Sequence, residues 1–245
     1  MAKFVSEVLA IGQADFISSA TPAHKIGTRA VSDDGRVFRY VKAGASNLVA
    51  GNVLQSPAIV ANHLANTAPA VAVGAKSFSY TPGATAGAAN LYADGFLQVD
   101  TTPGNGYTYS VEKHAAISSS TAFTLYLKDP IQVALTTDSR IGLIANPYNG
   151  VIQLPVTTAT GTIVGIATYI IAASEYGWIQ TWGVASVLTT GTPALGAMVM
   201  GPGTAAGAAQ VVVAAGTLVV AQIIGHMAQV GVDGKNNFVH VRINP

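Results

Sequence analysis

The densest group of side chains able to form charged contacts lies early in the chain, where Lys25, Arg29, Arg36, Arg39 and Lys42 set five positive charges against Asp33 and Asp34. Three readings are open: a solvated hairpin face, a nucleic-acid contact, or a dock for an acidic protein surface. Arginine forks match carboxylates bidentately, so an acidic protein surface is preferred to nucleic acid. A second group is Y-G-W-I-Q-T-W at Tyr176 to Trp182, in which Trp178, Gln180 and Trp182 alternate onto one strand face. Exposed, those rings would make a sugar platform or an interface hot spot; turned inward, they are core.

Catalytic patterns are scarce. The chain has no cysteine, which removes thiol nucleophiles, disulfides and zinc-thiolate sites together. His24, His63, His114, His226 and His240 stand singly, with no spacing that would put two metal ligands on one element. No G-x-S-x-G elbow lifts a serine onto a strained turn. G-A-K-S at Gly74 to Ser77 lacks the upstream glycine of a phosphate loop, and Gly201, Gly203 and Gly207 miss the dinucleotide spacing. Asp94 with Asp100, or Asp129 with Asp138, would serve as acid and base only if the fold made them converge. The expectation is a protein that is not an enzyme, with no catalytic, cofactor or metal residues.

The elements carrying these groups are predicted to be strands. Only 9% of the 245 residues are charged, against roughly 25% in an ordinary soluble domain. Half are hydrophobic, which excludes a disordered chain, and a net charge of +1 excludes a dedicated electrostatic nucleic-acid binder. Val, Ile and Thr total 68 residues, whereas Leu is 14 and Glu three, so β structure is favoured. Asp33-Asp34-Gly35 predicts a turn joining Thr28–Ser32 to Arg36–Lys42. Alternation predicts strands over 107–112 and 123–128, and Asp233-Gly234 leads into a strand over 238–243 with Val239, Val241 and Ile243 inward. Asn149-Gly150 reads as a further hairpin turn. Phe4, Val5, Val8 and Leu9 have helical spacing.

Nineteen of the 23 charges fall in residues 1–140, and between Arg140 and Asp233 the only one is Glu175. The most apolar part of that stretch is β-branched and interrupted by Gly216, Gln222, Gly225 and His226, so it reads as two paired strands, Gln210–Ala214 and Leu218–Ile224, rather than a membrane helix. Glu7 and Asp15 interrupt the apolar run after Lys3 before an export signal develops. The composition break places a junction between Arg140 and Gly150. The expected fold is all-β: two small β-sandwich or barrel-like domains, residues 23–145 and 146–245, preceded by an N-terminal arm over 1–22.

Free monomers favour a charged surface, whereas interface cores are depleted in charge. The deficit therefore predicts a surface that meets other subunits. The stretch G-T-R-A-V-S-D-D-G-R-V-F-R-Y-V-K-A-G, the Y-G-W-I-Q-T-W-G-V-A segment and the closing I-I-G-H-M-A-Q-V-G-V-D-G…F-V-H-V-R-I resemble head decoration proteins of tailed bacteriophages. That resemblance implies a β-rich cement protein, often trimeric, made in the host cytoplasm and bound to the major capsid protein on the capsid exterior. It implies no cofactor, membrane or specific nucleic acid, and carries over no catalytic residue. The alternative is a tail-tube or tail-fibre component with a carbohydrate-binding β domain, resting on Trp178 and Trp182.

Overall fold

The computed structural model describes residues 9–156, 158–212 and 221–245. Strands dominate it, as abundant β-branched side chains with little Leu and Glu favour. Among the described residues the helical segments are two single 3-10 turns, Gln13–Asp15 and Ala61–His63, and no helix is long and apolar enough to cross a membrane. The chain is all-β and forms two compact units. One comprises the described residues of Met1–Pro57 together with Pro147–Pro245, the other Ala58–Asn146.

The first unit begins with β1 (Leu9–Ala10), β2 (Arg29–Val31), β3 (Val37–Ala43) and β4 (Val53–Gln55). The second holds β5 (Asn66–Thr67), β6 (Ser77–Tyr80), β7 (Phe96–Val99), β8 (Thr108–His114), β9 (Phe123–Leu127) and β10 (Arg140–Ile144). The first resumes with β11 (Asn149–Gln153), β12 (Ile163–Ala167), β13 (Tyr176–Thr190), β14 (Met198–Gly201), β15 (Ala209–Val211), β16 (Gln222–Met227) and β17 (Lys235–Arg242).

In the second unit six antiparallel strands form one curled sheet in the order β5-β10-β7-β8-β9-β6. Alternation works here as predicted: Phe123, Leu125 and Leu127 are buried while Thr124 and Tyr126 face out. Their inward side chains join Tyr80, Leu97, Val111, Ile141 and Leu143 in a single core.

In the first unit the strand pairings close twice on β13. One circuit runs β3-β11-β4-β12-β13 and returns to β3, a closed five-stranded barrel; the other runs β13-β15-β14-β16-β17 and returns to β13. Val41, Leu54, Val151, Val164 and Ile179 fill the first. Val187, Val199, Ile224, Val239 and Val241 fill the second, packed against Val53, Leu154 and Ile166 of the first.

The domain boundaries differ from expectation. The junction expected between Arg140 and Gly150 coincides with the Asn146/Pro147 boundary, but residues 23–57 belong with the C-terminal part rather than with 58–146. The reason is pairing: β3 is bonded to β11 and β13, and β4 lies between β11 and β12. Composition reports local character and carries no information on such distant partners. Asn149 and Gly150 do not make a hairpin turn; they open β11, where the register against β3 slips by one residue and Gly150 takes φ +88°, a bulge conformation suited to glycine.

Two further expectations change. Among the described residues β15 and β16 are not paired to each other, because β14 lies between them and bonds to both; residues 213–220, which hold the proposed turn at Ala215 and Gly216 and the adjoining strand ends, lie outside the described residues. The proposed helix over Phe4, Val5 and Val8 also lies outside them, and Leu9 starts a strand. The described part of the arm is docked, with β1 extending the sheet parallel to β2 and Ser19 bridging Tyr176.

The second circuit requires close backbone approach between β16 and β17. A Cβ added at Gly225 would lie 2.0 Å from the His240 carbonyl oxygen. Gly225→Ala is expected to lower stability by about 1–3 kcal/mol, measured as a shift of the denaturant midpoint; an unchanged midpoint would refute this packing.

Candidate functional site

The Asp33-Asp34-Gly35 turn forms as predicted: Gly35 N–H donates to Ser32 O at 2.8 Å, and β2 pairs antiparallel with β3 so that Arg29 lies opposite Arg39. Strand alternation then divides the basic cluster. Phe38, Tyr40 and Lys42 share one face of β3, whereas Arg39 shares the other with Val37 and Val41.

Arg39 is engaged within its own unit. Its Nη1 donates to Gly27 O at 3.2 Å and its Nη2 to Asn244 Oδ1 at 3.1 Å, while its buried Nε has no hydrogen-bond partner. Lys42 places Nζ 5.4 Å from the Tyr176 ring centroid. Lys25 is exposed and Arg29 half-buried. Arg36 donates from Nε to Asp34 Oδ2 at 2.7 Å and lies over the Phe38 ring at 5.6 Å. Asp34 is held below its ordinary carboxylate value, chiefly by the Ser32 hydroxyl, with Arg36 adding to the effect. Within the cluster Arg39 is therefore tied into its own unit through Gly27 and Asn244, while Arg36 is paired with Asp34 at the turn.

The tryptophans also separate. Trp178 is only 5% exposed, lying opposite Tyr40 with ring centroids 5.0 Å apart and capped by His24 at 5.2 Å. Ile11, Phe38 and Phe16 complete this layer, so the N-terminal segment covers it. Tyr169 latches it: its hydroxyl accepts the Trp178 N–H at 2.7 Å, and burial raises that hydroxyl to a pKa of about 12. Trp182 instead stays half-exposed, beside His240 at 5.9 Å. Trp178 takes the core alternative, and the single face expected of Trp178, Gln180 and Trp182 is interrupted where the β13 register against β3 slips between Gln180 and Trp182.

Trp182, His240, Asp34, Arg36 and Val184 line a cleft of about 460 Å³ on the outer surface of the first unit. The sequence signal for it was available in D-D-G-R, since an Asp two residues before an Arg across a turn is placed to hold its guanidinium.

The second unit contains a buried histidine pair that spacing did not reveal. His63 meets the Tyr92 hydroxyl through Nδ1 and Thr85 O at 2.8 Å through Nε2. His114 Nδ1 donates to Ala115 O at 2.6 Å while Nε2 accepts the Tyr92 N–H at 3.0 Å. All four ring nitrogens are occupied, so the cluster ties loop to strand and leaves no ring nitrogen for a metal or a transferable proton. Among the described residues no group of three or more His, Cys, Asp or Glu is placed to hold a metal ion. Comparison of this chain with family models, curated proteins and solved structures gives no match.

Two predictions follow from this geometry. Arg39→Ala is expected to cost about 1–3 kcal/mol of stability through lost charged hydrogen bonds, whereas Arg36→Ala costs less than about 1 kcal/mol because its ion pair is exposed; equal denaturant midpoints for the two variants would contradict the assignment. Burial, reinforced by His63, holds His114 below the ordinary imidazole value of 6.5 against the opposing pull of its Ala115 bond. The unfolded chain then binds this proton first, so stability is complete above pH 6.5 and falls as pH drops below it. Thermal melts between pH 5 and 7.5 should show that slope, and His114→Asn should flatten it.

Proposed function

We propose that this chain is a virion structural protein that decorates the assembled capsid of a tailed phage and stabilises it through simultaneous contacts with several capsid subunits. The observation that carries the reading is an apolar end of the second circuit. Leu195 is 66% exposed, and Val230 and Val232 are 66% and 56% exposed. They sit on two loops tied together by a hydrogen bond from Gly231 N–H to Pro193 O at 2.7 Å. Glu175, the single charge between Arg140 and Asp233, is bonded to Ser18. Large exposed aliphatic groups on two adjoining loops are what a covered surface presents, and Asp233 beside them is held by the Gly191 N–H at 2.6 Å.

The partner in this reading is the major capsid protein, with association into a trimer favoured and the capsid exterior as the location. A standard interface buries about 1,600 Å² and can be modest in affinity. Several such contacts made together raise the effective affinity, because each later one is intramolecular. The tail-fibre reading loses its main support with Trp178 in the core.

Co-sedimentation with emptied, expanded heads is the direct test. The chain should saturate the shells and raise their rupture temperature, and Leu195→Asp with Val230→Asp should lower occupancy while leaving the melting temperature of the free protein unchanged. Shells that sediment without the wild-type chain would overturn the reading.

A further inference from the structure

We propose that the groove across Arg36 binds an extended polypeptide segment carrying a carboxylate between apolar side chains. Two clefts share Arg36 and Val184 in their walls. The first, with Trp182 and His240, has a volume of about 460 Å³; the second, reaching Phe238 and Thr168, about 320 Å³. Their common floor is the outer face of the β13–β17 ladder, where Val184 lies opposite His240 and Ser186 opposite Phe238. A straight two-strand floor suits a segment that is itself extended.

Arg36 is held from three directions. Asp34 takes its Nε, Phe38 lies beneath its guanidinium, and Gly183 lets its stem approach β13, since a Cβ there would come within 2.9 Å of Arg36 Cγ. Its two Nη groups make no hydrogen bond with the described residues, so a pre-oriented fork faces the groove. The Asp34 carboxylate already accepts from Ser32 Oγ, Arg36 N–H and Arg36 Nε. Arg242, bonded to His240 Nδ1 at 3.4 Å, adds a second cation at the Trp182 end. Val184 and Phe238, 46% and 54% exposed, supply apolar walls. An incoming carboxylate therefore meets the Nη groups of Arg36, beside an Asp34 carboxylate already engaged by three donors, and its flanking residues meet Trp182 on one side and Phe238 on the other. A glycan is matched less well, because Trp182 and Phe238 line different clefts, four positions apart along the ladder, rather than one stacking platform.

The source of the segment, a capsid subunit, rests on the capsid reading; the groove itself does not. The test follows the Trp182 indole N–H resonance of the full chain during titration with acetyl-Thr-Val-Glu-Val-Thr-amide, its Gln analogue and an oligoglucuronate. The Glu peptide should give a saturable shift. The Gln analogue, and Arg36→Ala with the Glu peptide, should bind roughly tenfold or more weakly, while Arg36→Lys should bind less well than wild type with an otherwise unchanged spectrum. Equal binding of the Glu and Gln peptides, no saturable shift, or a shift with oligoglucuronate alone would overturn the proposal. Shell sedimentation separates the two ideas: shells that bind wild type and Arg36→Ala equally, with no Arg36-dependent peptide binding, overturn the groove and leave the capsid reading standing, whereas Arg36-dependent peptide binding with no wild-type chain on shells leaves the groove and removes the capsid reading.

Discussion

Buried backbone N–H and C=O groups must be paired, and β13 has to satisfy that requirement for two circuits of strands in turn. Its N-terminal part bonds to β3 and its C-terminal part to β17, and Trp182 is the residue aligned with both, opposite Val37 on one side and Arg242 on the other. The transfer is made with side chains as well as backbone. Gln180, fully buried, donates from Nε2 to Trp182 O and Val184 O at 3.0 Å each, and Thr181 donates from Oγ1 to Asn244 O at 2.6 Å. Gly183 takes φ +91° immediately after the slip, a conformation that glycine adopts without the penalty of a Cβ.

The surface features of the first unit descend from this transfer. Before it, outward side chains of β13 enter the aromatic layer with Tyr40 and Phe38, which residues 9–24 close over. After it, Trp182 is released to the side of the β17 ladder and Arg36 can lie against Gly183. One irregular step therefore separates a tryptophan that stabilises the fold from one that lines a cleft. Alternation gives Arg36 and Arg39, three residues apart on one hairpin, their unrelated roles.

Charge scarcity has a structural consequence as well as a functional one. Only two ion pairs occur among the described residues, Arg36 with Asp34 and Lys128 with Asp94, so electrostatics contributes little to holding either unit together. Cohesion comes from close packing of Val, Ile, Leu and Ala and from buried polar networks. Asn237 is an example, donating to Thr189 Oγ1, Val232 O and Lys235 O while accepting from Gln229 and Val232. A surface of this kind has few charges to keep it from associating.

The sequence by itself determined the all-β class, the β2–β3 hairpin, the inward and outward faces of β8, β9 and β17, and the deficit of charge. Each of these depends on residue type, or on neighbours two to six positions apart, where turn chemistry and the two-residue strand period act directly. Tertiary structure alone decided that β3 and β4 join β11, β12 and β13, that Trp178 is covered, and that Arg39 reaches Asn244. It also decided that His63 and His114, 51 positions apart, share Tyr92. Those outcomes depend on partners brought together only when each unit folds and, for the tryptophans, on a one-residue slip in β13 that interrupts alternation without leaving a distinct residue pattern.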